Sequence, residues 1–116
     1  MSKLARLRKN REFQVVFEKG SSVATHGLVL YRLTNAVNIN RTGFIVTKKL
    51  GNAVKRNRIR RLLKEAYRLY AREIIAGKDL IFIARAPAAT FNFEQAAAEM
   101  RQLLKKGGLF AHSGKR

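Results

Sequence analysis

From Lys48 to Lys64 the chain carries eight basic residues and no acidic one: Lys48, Lys49, Lys55, Arg56, Arg58, Arg60, Arg61 and Lys64. The same stretch has the apolar period of a helix. Ile59, Leu62, Leu63, Ala66 and Tyr70 recur at three- and four-residue intervals, and at about 100° per residue they form one stripe. Asn57, Arg61, Lys64 and Arg68 fall opposite, with Arg56 and Arg60 on one flank and Arg58 on the other. Asn52, after a chain reversal at Gly51, is placed to cap the helix, and the helical run is expected to reach Arg72. The stripe must be buried against other elements, and the basic wall must stay outside.

The placement of that charge is costly. A helix N-terminus already carries about half a positive charge, so Lys55, Arg56 and Arg58 in the first turns oppose the dipole by a few tenths of a kcal/mol each. A bound phosphate reverses the sign of this term, because free backbone N–H groups and cationic side chains then act together. The plainer alternative is a solvated basic face, but the bias to arginine and the position at the wrong end of the helix argue for a polyanion.

The whole chain points the same way. Its formal net charge is +18, from 25 Lys and Arg against 7 Asp and Glu in 116 residues, which is far beyond what solubility requires and fits a nucleic-acid partner. A hydrophobic content of 47% supports one modest core and one domain over residues 1–116. No apolar run approaches a membrane span and no lipidation signal is present, so a membrane partner is not expected. The N-terminus lacks the apolar region of a secretory signal, which makes a cytoplasmic location the expectation. There is no cysteine, so disulfides and thiolate metal sites are excluded. Two isolated histidines, His26 and His112, form no recognisable metal or nucleophile-base constellation. No catalytic and no metal-ligating residue is assigned.

Residues 1–9 read as a basic arm, with Lys3, Arg6, Arg8 and Lys9 around Leu4 and Leu7, ordered in part only on binding. Asn10 is placed to cap a helix that ends at a left-handed Gly20. Phe13 and Phe17, one turn apart, share a face of that helix, and spacing alone leaves open whether they are core or surface. Ser21 to Thr34 reads as one bent strand or two, Asn35 to Arg41 as a loop, and Thr42 to Lys48 as a further strand. Asp79 to Arg85 is the most apolar strand and hence the expected central one, ended by Pro87. Asn92 and Gln95 form a capping box for a last helix with an apolar face of Phe93, Ala96, Ala97, Met100, Leu103 and Leu104. Gly107 and Gly108 close it, and 108–116 is expected to be a flexible tail. The order is that of an α+β sandwich with helices on a small sheet.

The run Lys48-Lys49-Leu50-Gly51-Asn52-Ala53-Val54-Lys55-Arg56-Asn57-Arg58-Ile59-Arg60-Arg61 closely resembles the signature of the bacterial ribonuclease P protein component, whose RNR motif corresponds to Arg56-Asn57-Arg58. Asn10 to Gly20 resembles that family's first helix, Leu28 to Tyr31 its aromatic-bearing strand, and Asp79 to Pro87 its last strand. The resemblance implies a two-layer αβββαβα sandwich with a small, mostly antiparallel sheet and a left-handed βαβ crossover, an exception to the usual hand. It implies the protein subunit of a ribonucleoprotein endonuclease that removes the 5′ leader of precursor tRNA, with catalysis in the RNA subunit and magnesium held mainly by that RNA and the substrate. Lys48, Lys49, Asn52, Lys55, Arg56, Asn57, Arg58, Arg60, Arg61, Lys64 and Arg68 would face the catalytic RNA, with Asn57 ordering the loop before the helix. Phe13, Phe17 and Tyr31 match the family's leader cleft, where exposed rings can stack on unpaired bases. The implied partners are the catalytic RNA, in a one-to-one complex with a monomeric protein, and precursor tRNA. A ribosomal or RNA-chaperone module of the same composition is the competing class. A DNA-binding domain is not expected, since no helix-turn-helix spacing leads into the basic helix.

Overall fold

The order of elements follows from where apolar periodicity changes from three-to-four to two and back. The computed structural model describes residues 4–111. Helix α1 spans Asn10–Lys19, strands β1, β2 and β3 span Ser21–Ala24, Leu28–Thr34 and Arg41–Ile45, helix α2 spans Ala53–Arg68, strand β4 spans Lys78–Ala84 and helix α3 spans Phe93–Lys106. The sheet order is β1-β2-β4-β3. β1 and β2 pair antiparallel, β2 and β4 antiparallel, and β3 and β4 parallel. The β3–α2–β4 segment is therefore the expected βαβ crossover, and β4 is central.

Alternation along the strands divides the core. Leu28, Leu30, Leu80, Phe82 and Ala84 point to one face and are buried with Ile59, Leu63, Ala66 and Tyr67 of α2 and Ala96, Met100, Leu103 and Leu104 of α3. Ile81 points to the other face and is buried with Val16 of α1 and Leu7. Burying a side chain of this size is worth about 1.5 to 3 kcal/mol, so the α2–α3 layer supplies most of the apolar stabilisation. Phe82 stacks on Phe44 at 5.1 Å between ring centres and Tyr67 tilts against it at 5.4 Å. Burial pushes the Tyr67 hydroxyl up to about 12.

The structure alters several expectations. The cap of α1 is Lys9, not Asn10, because the Glu12 carboxylate accepts the backbone N–H groups of both Arg8 (2.7 Å) and Lys9 (3.1 Å). Gly20 is extended, at φ −81°. Glycine is needed there for space, since a Cβ would lie 2.5 Å from the Arg32 carbonyl oxygen and 2.6 Å from that of Val16. Helix α2 ends at Arg68 rather than Arg72, where the chain turns so that the Tyr70 hydroxyl can donate to the Ala97 carbonyl and its ring can pack on Phe110. Tyr67 replaces Tyr70 as the last fully buried residue of the stripe. Phe93 lies outside the apolar face of α3 and is exposed. The Asn92–Gln95 capping box forms, with both bonds in place.

Both chain ends are more ordered than expected over the described residues. Thr42 of β3 donates its N–H to Ala5 and accepts that of Leu7, so residues 5–7 run beside β3 as a short parallel strand, with Leu7 buried. Leu109 is buried, Phe110 bridges to Ile74, and the Ala111 N–H reaches the Glu73 carbonyl. The expected flexible tail is thus docked as far as Ala111. Lys3, His112 and the end of that tail lie outside the described residues.

An ion-pair group not foreseen from sequence fixes α1 on the sheet. Arg41 holds the buried Asp79 through two 2.8 Å bonds and reaches Glu12 at 3.5 Å. The Arg8 and Lys9 N–H groups, with lesser help from Arg41, hold the Glu12 carboxyl below its usual value of 4.5. A carboxylate with a depressed folded-state pKa stabilises the fold at pH values above its unfolded pKa, and that contribution is lost as pH falls through the folded value. Glu12→Gln is therefore expected to lower the melting temperature at neutral pH, with the difference from the parent chain vanishing in the acid limb below 4.5. A constant difference across that limb would show that the charge does not matter.

Candidate nucleic-acid interface

The approach to α2 is shaped by two residues. Gly51, at φ 141°, reverses the chain in a conformation that other side chains rarely adopt. Asn52 then accepts the Lys55 N–H at 2.9 Å, satisfying one of the free donors of the first turn. Arg56 donates to the Gly51 carbonyl at 3.4 Å and is partly buried. Arg58 donates to the Ala89 carbonyl at 3.1 Å, which lays it towards the turn after β4. Asn57 was expected to order the preceding loop, but its side chain instead accepts from Arg60 on the same helix. Asn52 and Arg56 do that ordering.

The electrostatics of this wall rest on what the cations do not touch. Among the described residues the salt bridges are Arg41–Glu12, Arg41–Asp79 and Arg68–Glu65. Lys48, Lys49, Lys55, Arg56, Arg58, Arg60, Arg61 and Lys64 take part in none of them. Lys48, Lys49, Lys55, Asn57, Arg58 and Arg61 are exposed, while Arg56, Arg60, Lys64 and Arg68 are half-buried. Only Arg68 of the expected set is neutralised by the chain's own carboxylate, at 2.8 Å. Apart from Arg68, the wall's cations are therefore not neutralised by carboxylates among the described residues.

A second surface lies on the opposite face of the sheet. Helix α1 crosses the strands: Phe13 sits over Gly43 of β3, where a Cβ would lie 2.5 Å from the ring. Phe17 meets Tyr31 of β2 edge-to-face at 4.9 Å. On one side of this crossing the Glu12–Arg41–Asp79 group closes the face. On the other, Val29, Ile83 and Ile45 stand in one cross-strand row, paired in register and only half-buried. That row, with Phe17 exposed and Tyr31 half-buried at its edge, is an open apolar trough. β3 leads from it through Val46 and Thr47 to the exposed Lys48 and Lys49.

Sequence reasoning named Phe13, Phe17 and Tyr31 but missed the Val29–Ile83–Ile45 row. The alternation of β2 already placed Val29 with Tyr31. What sequence lacked was the register that sets Ile83 and Ile45 beside it. Phe13 is half-buried over Gly43.

No group of three or more His, Asp or Glu among the described residues could hold a metal ion, and no described helix is long and apolar enough to cross a membrane. A basic helical wall and an aromatic-edged trough lie on opposite faces of one small α+β body. The comparisons with known proteins identify its family. The family model described as Ribonuclease P matches residues 1–108, and the chain belongs to the ribonuclease P protein family. The ribonuclease P protein component of Natranaerobius thermophilus is 46% identical over 94% of this chain and 95% of its own length. One from Bacillus cereus is 42% identical over 94% and 96%. The solved RNase P protein of Staphylococcus aureus superposes with a TM-score of 0.84 at 39% identity, covering 93% of this chain and 99% of that one. That of Thermotoga maritima gives 0.80 at 28% identity, covering 87% and 96%.

Proposed function

We propose that this protein is the RNA-binding subunit of a bacterial ribonuclease P, which assists removal of the 5′ leader from precursor tRNA while the RNA subunit carries the chemistry. The observation that carries the reading is the set of eight cations between Lys48 and Lys64 that make no salt bridge among the described residues, beside an open trough edged by Phe17 and Tyr31. In this reading α2 lies against the catalytic RNA. Arginine forks on Arg56, Arg58, Arg60 and Arg61 and the ammonium groups of Lys48, Lys49, Lys55 and Lys64 meet phosphates. The trough takes the unpaired leader, whose bases stack on the rings without sequence readout.

The protein's part is to place charge. A catalytic RNA and a leader strand repel each other, and a body of net charge +18 between them lowers that repulsion. The interface residues are cations and amides, a donor set that suits phosphate and not a divalent cation. Magnesium ions would therefore be held by the RNA subunit and substrate, and would supply there activation of the nucleophile and stabilisation of the leaving oxygen. Reconstitution of this chain with a bacterial RNase P RNA tests the reading. The complex should cleave precursor tRNA at lower magnesium than the RNA alone and should favour precursor over mature tRNA in binding. Added protein that changes neither quantity would overturn it.

A further inference from the structure

A third surface lies at the β3 edge, away from the trough. The N-terminal arm, running beside β3, forms one wall of a groove of about 520 Å³, and the later turns of α2 form the other. On the α2 face of the sheet the floor is apolar, built from Leu4 and Phe44. Arg6 and Arg8 of the arm stand on one rim and Arg60, Lys64 and Arg68 on the other. Among the described residues no acidic side chain lines the groove; Arg68 pairs with Glu65 through one terminal nitrogen, while its Nε is buried without a hydrogen-bond partner. An apolar floor between two cationic rims suits a flat ring carrying a negative group, and the volume falls in the range of small-molecule sites, about 300 to 1,000 Å³.

The geometry points to a nucleotide site: the groove takes one unpaired nucleotide of the bound RNA, its base against the Leu4–Phe44 floor and its phosphate between the arm and α2 arginines. The inference rests on the RNA-binding reading of α2 and extends it to the arm, so that residues 4–8 act as a clamp over a nucleotide. Backbone pairing at Thr42 and the buried Leu7 hold the arm in position, so the clamp is formed before its ligand arrives, which lowers the ordering cost of binding. The exposed Arg6 and Arg8 make no salt bridge among the described residues and are free to meet phosphate.

The test uses the full-length chain and adenosine 5′-monophosphate, followed by backbone amide shifts, with inorganic phosphate as the parallel arm. The nucleotide should shift Arg6, Leu7, Thr42 and Phe44, and phosphate alone should leave Phe44 unmoved. The variant Arg6→Ala/Arg8→Ala should weaken nucleotide binding at least fivefold and RNase P RNA binding by a similar factor. Shifts confined to the Phe17–Tyr31 trough, or reproduced in full by phosphate, would overturn the nucleotide site. Unchanged nucleotide affinity in the variant would overturn the clamp. If the parent chain binds the RNA while the nucleotide leaves the groove unmoved, the site alone fails. If the parent chain does not bind the RNA, the broader reading fails with it.

Discussion

Replacing Arg58 and Arg61 together with alanine is expected to weaken binding of the catalytic RNA by about 25- to 60-fold at 0.1 M salt and to flatten its salt dependence. Each phosphate contact contributes roughly 0.7 to 0.9 to the slope of log affinity against log salt, so the pair should remove about 1.4 to 1.8. The same product gives the loss of affinity at that salt concentration. Among the described residues no carboxylate holds either guanidinium. Arg61 is exposed, and Arg58 makes only the bond to the Ala89 carbonyl. The fold should therefore survive, which a thermal melt of the free variant can verify. Binding isotherms at several salt concentrations read the slope directly. An unchanged slope would mean that these arginines face solvent in the complex and that the dipole cost at the start of α2 has another explanation.

The second large effect is expected at Tyr31. Removing its ring with Tyr31→Ala should weaken binding of leader-bearing precursor by about 5- to 150-fold, which corresponds to about 1 to 3 kcal/mol for one base–aromatic stack. Mature tRNA, which has no leader, should bind with little change, and Tyr31→Phe should keep most of the preference because the ring face is retained. Phe17 leans edge-on against Tyr31, so truncating either ring also disturbs the other, and the two losses should be less than additive. Equal weakening for precursor and mature tRNA would assign Tyr31 to structural packing instead.

Much of this architecture could be read from the chain because its signals are local. The α2 cap at Asn52, the α3 capping box, the apolar run of β4 and the stripe ending in Ala66 all depend on residues within a few positions of one another. What escaped notice depends on distant partners. Residues 5–7 carry no strand pattern of their own and are ordered by Thr42. Arg41, Asp79 and Glu12 look like ordinary surface charges until three elements bring them together. Gly20 looked like a left-handed helix end, but it is set by the passage of β2 at Arg32. The trough was half legible: the family resemblance pointed to its rings, which spacing alone left open between core and surface, while its floor waited on the register of β4 with both neighbours.

The strand order has a consequence for how the chain is made. β2 and β3 do not touch each other; each pairs with β4, which lies between them yet comes from residues 78–84. A chain leaving the ribosome therefore cannot complete its sheet until most of its length has been synthesised, and until then the inner edges of β2 and β3 lack partners. Such waiting edges are the usual seeds of misassembly. Mutual repulsion between nascent copies, each dense in lysine and arginine, would hold those edges apart during the delay.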